Sequence, residues 1–119
     1  MNKKSGFTFV ELLVVVTIIA ILTGAAVVSF TNTSRRSRDT RRMLDIENIR
    51  SALELCRTEE GSYPLSVYNS IVCGDETYLS DTPSDPKTDS NYTYTKISNT
   101  SYTIVCELES LEPCSFTNP

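Results

Sequence analysis

The sequence predicts an α+β fold: one long N-terminal α-helix, a hydrophobic stalk continued by an amphipathic half, packed on a small antiparallel β-sheet head. Three observations carry that prediction. No proline interrupts the chain before Pro64. The apolar run Phe7–Phe30 passes into a charged stretch whose apolar residues recur at three- and four-residue steps, the helical period. Near the C-terminus, two short runs alternate with the period of a strand. The 119 residues allow one domain at most, and the first quarter is too uniformly apolar to join a core of that size.

The first element is the apolar run. Its 24 residues, at about 1.5 Å per residue, span roughly 36 Å, enough for a bilayer. A short basic leader with Lys3 and Lys4 precedes it. Gly24-Ala25-Ala26 offers the small residues of a secretory cut after Ala26. Glu11 speaks against a plain signal or anchor, because a carboxylate inside an apolar span costs about 2.5–3.5 kcal/mol at mid-bilayer. Such a carboxylate calls for a cationic partner, and the apolar run holds no cation. The partner must come from another chain or from a newly made N-terminus.

The second element is the amphipathic half. Ile46, Ile49, Leu53 and Cys56 share one helical face, and Glu59-Glu60-Gly61 before Tyr63-Pro64 reads as the helix end with Gly61 as cap. A continuous helix from Phe7 to Glu60 would be roughly 80 Å long. Residues 65–91 read as a long loop with turns at Gly74-Asp75, Thr82-Pro83 and Asp85-Pro86. Tyr92–Ile97 and Tyr102–Leu108 then form an antiparallel hairpin around Ser98-Asn99-Thr100-Ser101, and Cys114–Thr117 adds a short last strand. Tyr102, Ile104, Cys106 and Leu108 share the sheet face expected to cover the helix.

Charge and composition narrow the function. The chain has a net charge of −4 and lacks His and Trp, which removes the commonest general acid/base. Ser and Asp abound without a catalytic constellation, so no enzyme is expected. Residues 1–42 hold seven cations and two acids, and residues 43–119 hold four cations and thirteen acids. A basic collar thus lies beneath an acidic head. The run Arg35–Arg42 reads as a juxtamembrane patch for anionic lipid headgroups, or for acidic heads of neighbours. Nucleic acid is a poor partner for such a head, and the run lacks interleaved aromatics.

Cys56, Cys73, Cys106 and Cys114 read as two disulfides in an oxidising compartment, since no C-x-x-C knuckle supports a zinc site. Shorter loops favour Cys56–Cys73 with Cys106–Cys114. Cys56–Cys106 with Cys73–Cys114 stays open, because Cys56 and Cys106 both fall on predicted core faces.

The stretch Lys3-Lys4-Ser5-Gly6-Phe7-Thr8-Phe9-Val10-Glu11-Leu12-Leu13-Val14-Val15 resembles the class III signal of type IV prepilins and of the pseudopilins of type II secretion. The resemblance implies a ladle-shaped pilin-like fold. It also implies cleavage between Gly6 and Phe7 by a membrane peptidase, N-methylation of Phe7, and a Glu11 that pairs with the Phe7 amine of a neighbouring subunit to set axial register. Many relatives carry a proline where Val28 stands, and Gly24 is the nearest helix breaker here. The head, with Tyr78–Pro86, Tyr92-Thr93-Tyr94 and Ser101–Ile104, is similar to the major pseudopilins. Some of those hold calcium after the Asp-Pro turn, for which Asp81, Asp85 and Asp89 would be the ligands; no other cofactor is expected.

These readings divide the chain into a leader (1–6), a transmembrane or filament-core helix (7–30), its amphipathic half (31–60) and a head (61–119). They predict a structural subunit, major or minor, of a type IV pilus-like filament. Its partners would be copies of itself, the prepilin peptidase/methyltransferase, the assembly platform and, before assembly, the membrane. It would be a single-pass cytoplasmic membrane protein first and an extracellular filament afterwards. Counting positive charges alone would place the C-terminal side in the cytoplasm; the resemblance and the cysteines place it outside. The alternatives are a major pseudopilin of a secretion or competence pseudopilus, a secreted disulfide-bonded binding module cut after Ala26, and an anchored module that never polymerises.

Overall fold

The computed structural model describes residues 6–110 and 112–118. Lys3 and Lys4 of the leader lie outside the described residues. One helix, α1 (Phe9–Glu60), is followed by β1 (Ile71–Cys73), β2 (Glu76–Leu79), β3 (Thr93–Lys96), β4 (Tyr102–Cys106) and β5 (Cys114–Asn118). This is the α+β architecture expected of a pilin-like chain. The chain divides into two compact units, Met1–Ser34 and Arg35–Pro119, so α1 from Arg35 onward belongs to the head unit.

In the first unit, α1 starts on a reciprocal cap. The Thr8 amide donates to Glu11 Oε2 at 2.8 Å, and the Glu11 amide donates back to Thr8 Oγ1 at 3.3 Å. This is the T-x-x-E capping box, which satisfies two amides that a helix start would leave without acceptors. The helix passes Gly24 and Val28 without a break. Its large apolar side chains are exposed from Phe7 to Phe30, and the segment is long and apolar enough to cross a bilayer. The hydroxyls of Thr17 and Thr23 donate to carbonyls of the preceding turn, at Val14 and Ile19, so neither brings an unmet donor into apolar surroundings.

In the second unit, α1 buries Ile46, Ile49, Ala52, Leu53 and Cys56. The helix ends where the sequence places its stop, at Gly61, whose φ of 69° is left-handed. Strands β3, β4 and β5 form an antiparallel sheet in that order, with Tyr94 opposite Ile104 and Cys106 opposite Cys114. Central β4 turns Tyr102, Ile104 and Cys106 inward to the α1 stripe, while Leu108 lies past its end and is only partly buried. Tyr63 and Tyr102 meet edge to face with ring centroids 4.6 Å apart.

Two strands emerge inside the expected loop. β1 and β2 pair around the Gly74-Asp75 turn, with a bulge between Ile71 and Val72. Their apolar content is too short for a period to register: Ile71 and Cys73 of β1 face inward, and Tyr78 and Leu79 of β2 pack partly buried against the core. The strands of the hairpin are also shorter than their alternating runs, because hydrogen-bonded pairing stops at Lys96↔Tyr102 and at Thr93↔Val105.

Candidate functional site

The N-terminal motif sits at the edge of α1. Gly6, Phe7 and Thr8 precede the helix, and Phe7 is 79% exposed. A side chain at Gly6 would meet no atom within 4 Å, so nothing in this chain's packing demands a glycine there. Glu11, three residues into the helix, is exposed, and Oε2 also accepts the Thr8 hydroxyl at 2.7 Å. In the single chain its carboxylate is therefore engaged with Thr8.

A second cluster lies in the head unit, and sequence reasoning did not foresee it. Arg42 is 2% exposed. Its Nε and Nη2 donate to the two oxygens of Asp85 at 2.6 and 3.1 Å. Its Nη1 donates to Asp39 at 2.7 Å and to Glu109 at 3.2 Å. Arg38 grips Glu109 with two further bonds of 2.7 and 2.8 Å, and Lys87 reaches it at 3.1 Å. Asp39 accepts the amides of Glu109 and Ser110 and the Ser110 hydroxyl. The cluster fastens three segments of chain together: α1, the loop around Asp85, and the connection from β4 to β5.

The electrostatics follow from this pairing. The Arg42 guanidinium holds the Asp85 carboxyl well below the usual carboxylate range, against the opposing push of burial. Arg38 does the same to Glu109. For Asp39, burial pulls upward, but the hydrogen bonds from Glu109, Ser110 and Arg42 outweigh it and the pKa is lowered. Burial first, then the hydrogen bond to Asp45, raises the phenol of Tyr92, which donates to Asp45 Oδ2 at 2.9 Å.

This geometry corrects two expectations. The Arg35–Arg42 run is not a uniformly solvated collar, because Arg42 is buried and Arg38 is paired with Glu109. Nor do Asp81, Asp85 and Asp89 gather as calcium ligands. Asp85 commits both oxygens to Arg42 and shares one with the amides of Lys87 and Thr88. Asp81 and Asp89 are exposed, and Asp89 instead adopts a left-handed turn, its amide bonded to the Asp85 carbonyl at 2.9 Å. Among the described residues, no group of three His, Cys, Asp or Glu side chains is placed to hold a metal ion. The residues present therefore do not fit a calcium site. A cleft of about 390 Å³ opens beside the cluster, with Arg42, Asp85, Lys87 and Glu109 on its wall. These four charges are spent on one another.

The sequence did hold a signal for the cluster. Positions 39, 42, 46, 49, 53 and 56 continue a single stripe, so Asp39 and Arg42 occupy core positions at an i,i+3 spacing suited to pairing. The structure also pairs Cys56 with Cys73 and Cys106 with Cys114, at Cα separations of 5.6 and 5.2 Å. The first bridge joins α1 to β1. The second joins residues directly opposite on β4 and β5.

Comparison with known proteins bears on the N-terminal motif. Residues 1–27 match the family model of the prokaryotic N-terminal methylation motif. The chain is 39% identical over 61 residues to prepilin peptidase-dependent protein D of Escherichia coli (strain K12), a match covering 51% of this chain and 42% of that protein. It is 39% identical over 56 residues to a probable minor fimbrial protein of Dichelobacter nodosus, covering 47% of this chain and 35% of that one. The chain thus spans less than half the length of these curated relatives. No solved structure matches it. The first 27 residues of the chain thus carry the prokaryotic N-terminal methylation motif.

Proposed function

We propose that this chain is a structural subunit of a type IV pilus-like filament, drawn from the membrane after its leader is removed. The observation that carries the reading is the methylation motif, placed on a helix start whose following apolar side chains have no cover of their own. Hydrolysis of the Gly6–Phe7 bond would free an amine at Phe7, and a methyltransferase would pass it one methyl group from a sulfonium methyl donor, leaving the thioether and releasing a proton to water. Apolar helices would then bundle out of the bilayer. Glu11 would exchange its bond to Thr8 for the Phe7 amine of a neighbour, a pairing worth more in a low-dielectric filament core than in water. The names of the relatives, a prepilin peptidase-dependent protein and a minor fimbrial protein, support a processed, filament-associated role.

Intact-mass and N-terminal peptide mass spectrometry on protein from the cells that make it tests the reading. A chain starting at Phe7 with one added methyl is the expected result. A start at Val27 would replace it with a secreted module. Glu11→Ala is expected to leave processing largely intact and to lower filament yield at least tenfold; normal filaments from that variant would remove Glu11 from the register.

A further inference from the structure

The head unit begins on cations that it does not neutralise. Of the five arginines between 35 and 42, Arg38 and Arg42 are consumed by Glu109, Asp39 and Asp85. Arg35, Arg36 and Arg41 are exposed, and none enters an ion pair among the described residues. Asp39 is the only acid between Glu11 and Asp45 in the sequence, and it is buried, taking its bonds from Arg42, Glu109 and Ser110. Arg35 stands one turn before Asp39, on the stripe that Asp39, Arg42 and Ile46 continue, yet it is exposed. The cover that the β4–β5 connection gives to this face reaches Arg38 and Asp39 and stops there.

Arg35 and Arg36 follow the apolar run closely. At no more than about 3.6 Å per residue, both lie within roughly 22 Å of Phe30 however the chain runs. The residues between, Thr31 to Ser34, are polar and uncharged. The apolar run, at roughly 36 Å, is slightly longer than a hydrocarbon core of about 30 Å, so a bilayer that takes it sets headgroup phosphates beside its C-terminal end. A guanidinium presents a fixed fork of N–H donors that matches two phosphate oxygens. Arg41 differs. It lies five residues farther on, about 7.5 Å along α1 from Arg36 and about 140° around it, which is close to one Debye length at physiological salt.

We propose that Arg35 and Arg36 form a headgroup site for anionic phospholipid, with Arg41 outside it. The site rests on the part of the reading above that puts the apolar segment in a bilayer before assembly. It narrows a run of five arginines to two, because the fold spends Arg38 and Arg42 on its own carboxylates. Each arginine near an anionic surface favours the bound lipid by about fivefold. Salt weakens the site, because both side chains are exposed. A subunit that leaves the membrane for a filament would have to release these lipids first.

The test is lipid selection by the full chain in phosphatidylcholine vesicles at physiological salt. It is read with spin-labelled phosphatidylglycerol and spin-labelled phosphatidylcholine, as the ratio of their association with the protein. The unaltered chain is expected to select phosphatidylglycerol. Arg35→Gln with Arg36→Gln is expected to lower the ratio at least about twofold, and Arg41→Gln to leave it within about a fifth of its starting value. Lys3 and Lys4 are the same in every variant, so the differences read the arginines. Both disulfides should hold throughout, since these three side chains make no ion pair within the head. A chain that floats with the vesicles and selects neither lipid would overturn the site. So would selection that the double substitution leaves intact, or that Arg41→Gln lowers as far, since a diffuse field would then be acting. Filaments lost from the double variant with its lipid selection unchanged would overturn it too, and would assign the arginines to the acidic surface of another copy. A chain that does not float with vesicles would instead remove the membrane reading, and the site with it.

Discussion

The two units use one helix in opposite ways. From Phe9 to Phe30 the backbone is helical throughout and the large apolar side chains are uncovered. Its polar groups are settled locally, by the Thr8–Glu11 cap and by threonines bonded to their own preceding turn. In Arg35–Glu60 the same helix lays Ile46, Ile49 and Leu53 on a sheet and carries Asp39 and Arg42 into a buried ion cluster. The difference shows where each segment's stability comes from. The first depends on a medium or neighbour outside the chain, since an apolar helix that buries nothing gains no hydrophobic stabilisation in water. The second is stabilised by its own fold.

The strongest way to break the comparison is Arg42→Met. It leaves Asp85, Asp39 and Glu109 facing one another without their shared cation, and removing one partner of a buried pair costs about 3–5 kcal/mol. Denaturant melting of the full chain in detergent should show that loss in the head transition, with the helicity of the apolar segment unchanged. A head as stable as the original would mean that the cluster only orders its loops.

Replacing Cys56 and Cys73 together with Ala should cost about 3 kcal/mol, and replacing Cys106 and Cys114 about 2.5, since the cost grows with the logarithm of the closed loop, 17 and 8 residue steps. The same melting experiment checks the order of the two. The reverse order would show that the cross-strand bridge holds β5 in place beyond its loop length.

Acid provides a graded probe. Asp85, Glu109 and Asp39 all have lowered pKa values, so the folded head binds protons less readily than the unfolded chain. Their contribution is complete above the ordinary carboxylate range, near pH 4–5, and is lost as pH falls below it. Denaturation midpoints are expected to stay level between pH 7 and about 5 and to drop below about 4. In Arg42→Met the drop should be smaller, because Asp85 loses the guanidinium that holds its carboxyl down, while Glu109 keeps Arg38 and Lys87.

The smallest effect belongs to the apolar unit. Thr8→Ala removes the cap and should cost about 1 kcal/mol at the helix start, read as faster amide exchange at Val10 and Glu11 with no shift in the head transition. A shift in the head transition would show that the two units are energetically linked.

Local patterns made most of the fold legible. Helix α1 could be read from the absence of proline and from its two periodicities, its end from Gly61, and the hairpin from alternation around a polar turn, because these depend on residues a few positions apart. The methylation motif is a contiguous string and was equally readable; even the T-x-x-E cap was present in Thr8 and Glu11, though the Glu11 carboxylate invited a longer-range reading first. What the local chain could not decide was partnership. Two disulfide pairings were open until the sheet register set Cys106 opposite Cys114. Asp85 looked like a calcium ligand beside Asp81 and Asp89 until Arg42, 43 positions earlier, took both its oxygens. The sequence by itself determined helix α1, the β3–β4 hairpin, β5 and the methylation motif, because backbone conformation responds to near neighbours. Only the tertiary structure decided which charges are buried together and which remain outside, because the energy of a charge depends on what the fold brings within a few ångströms of it.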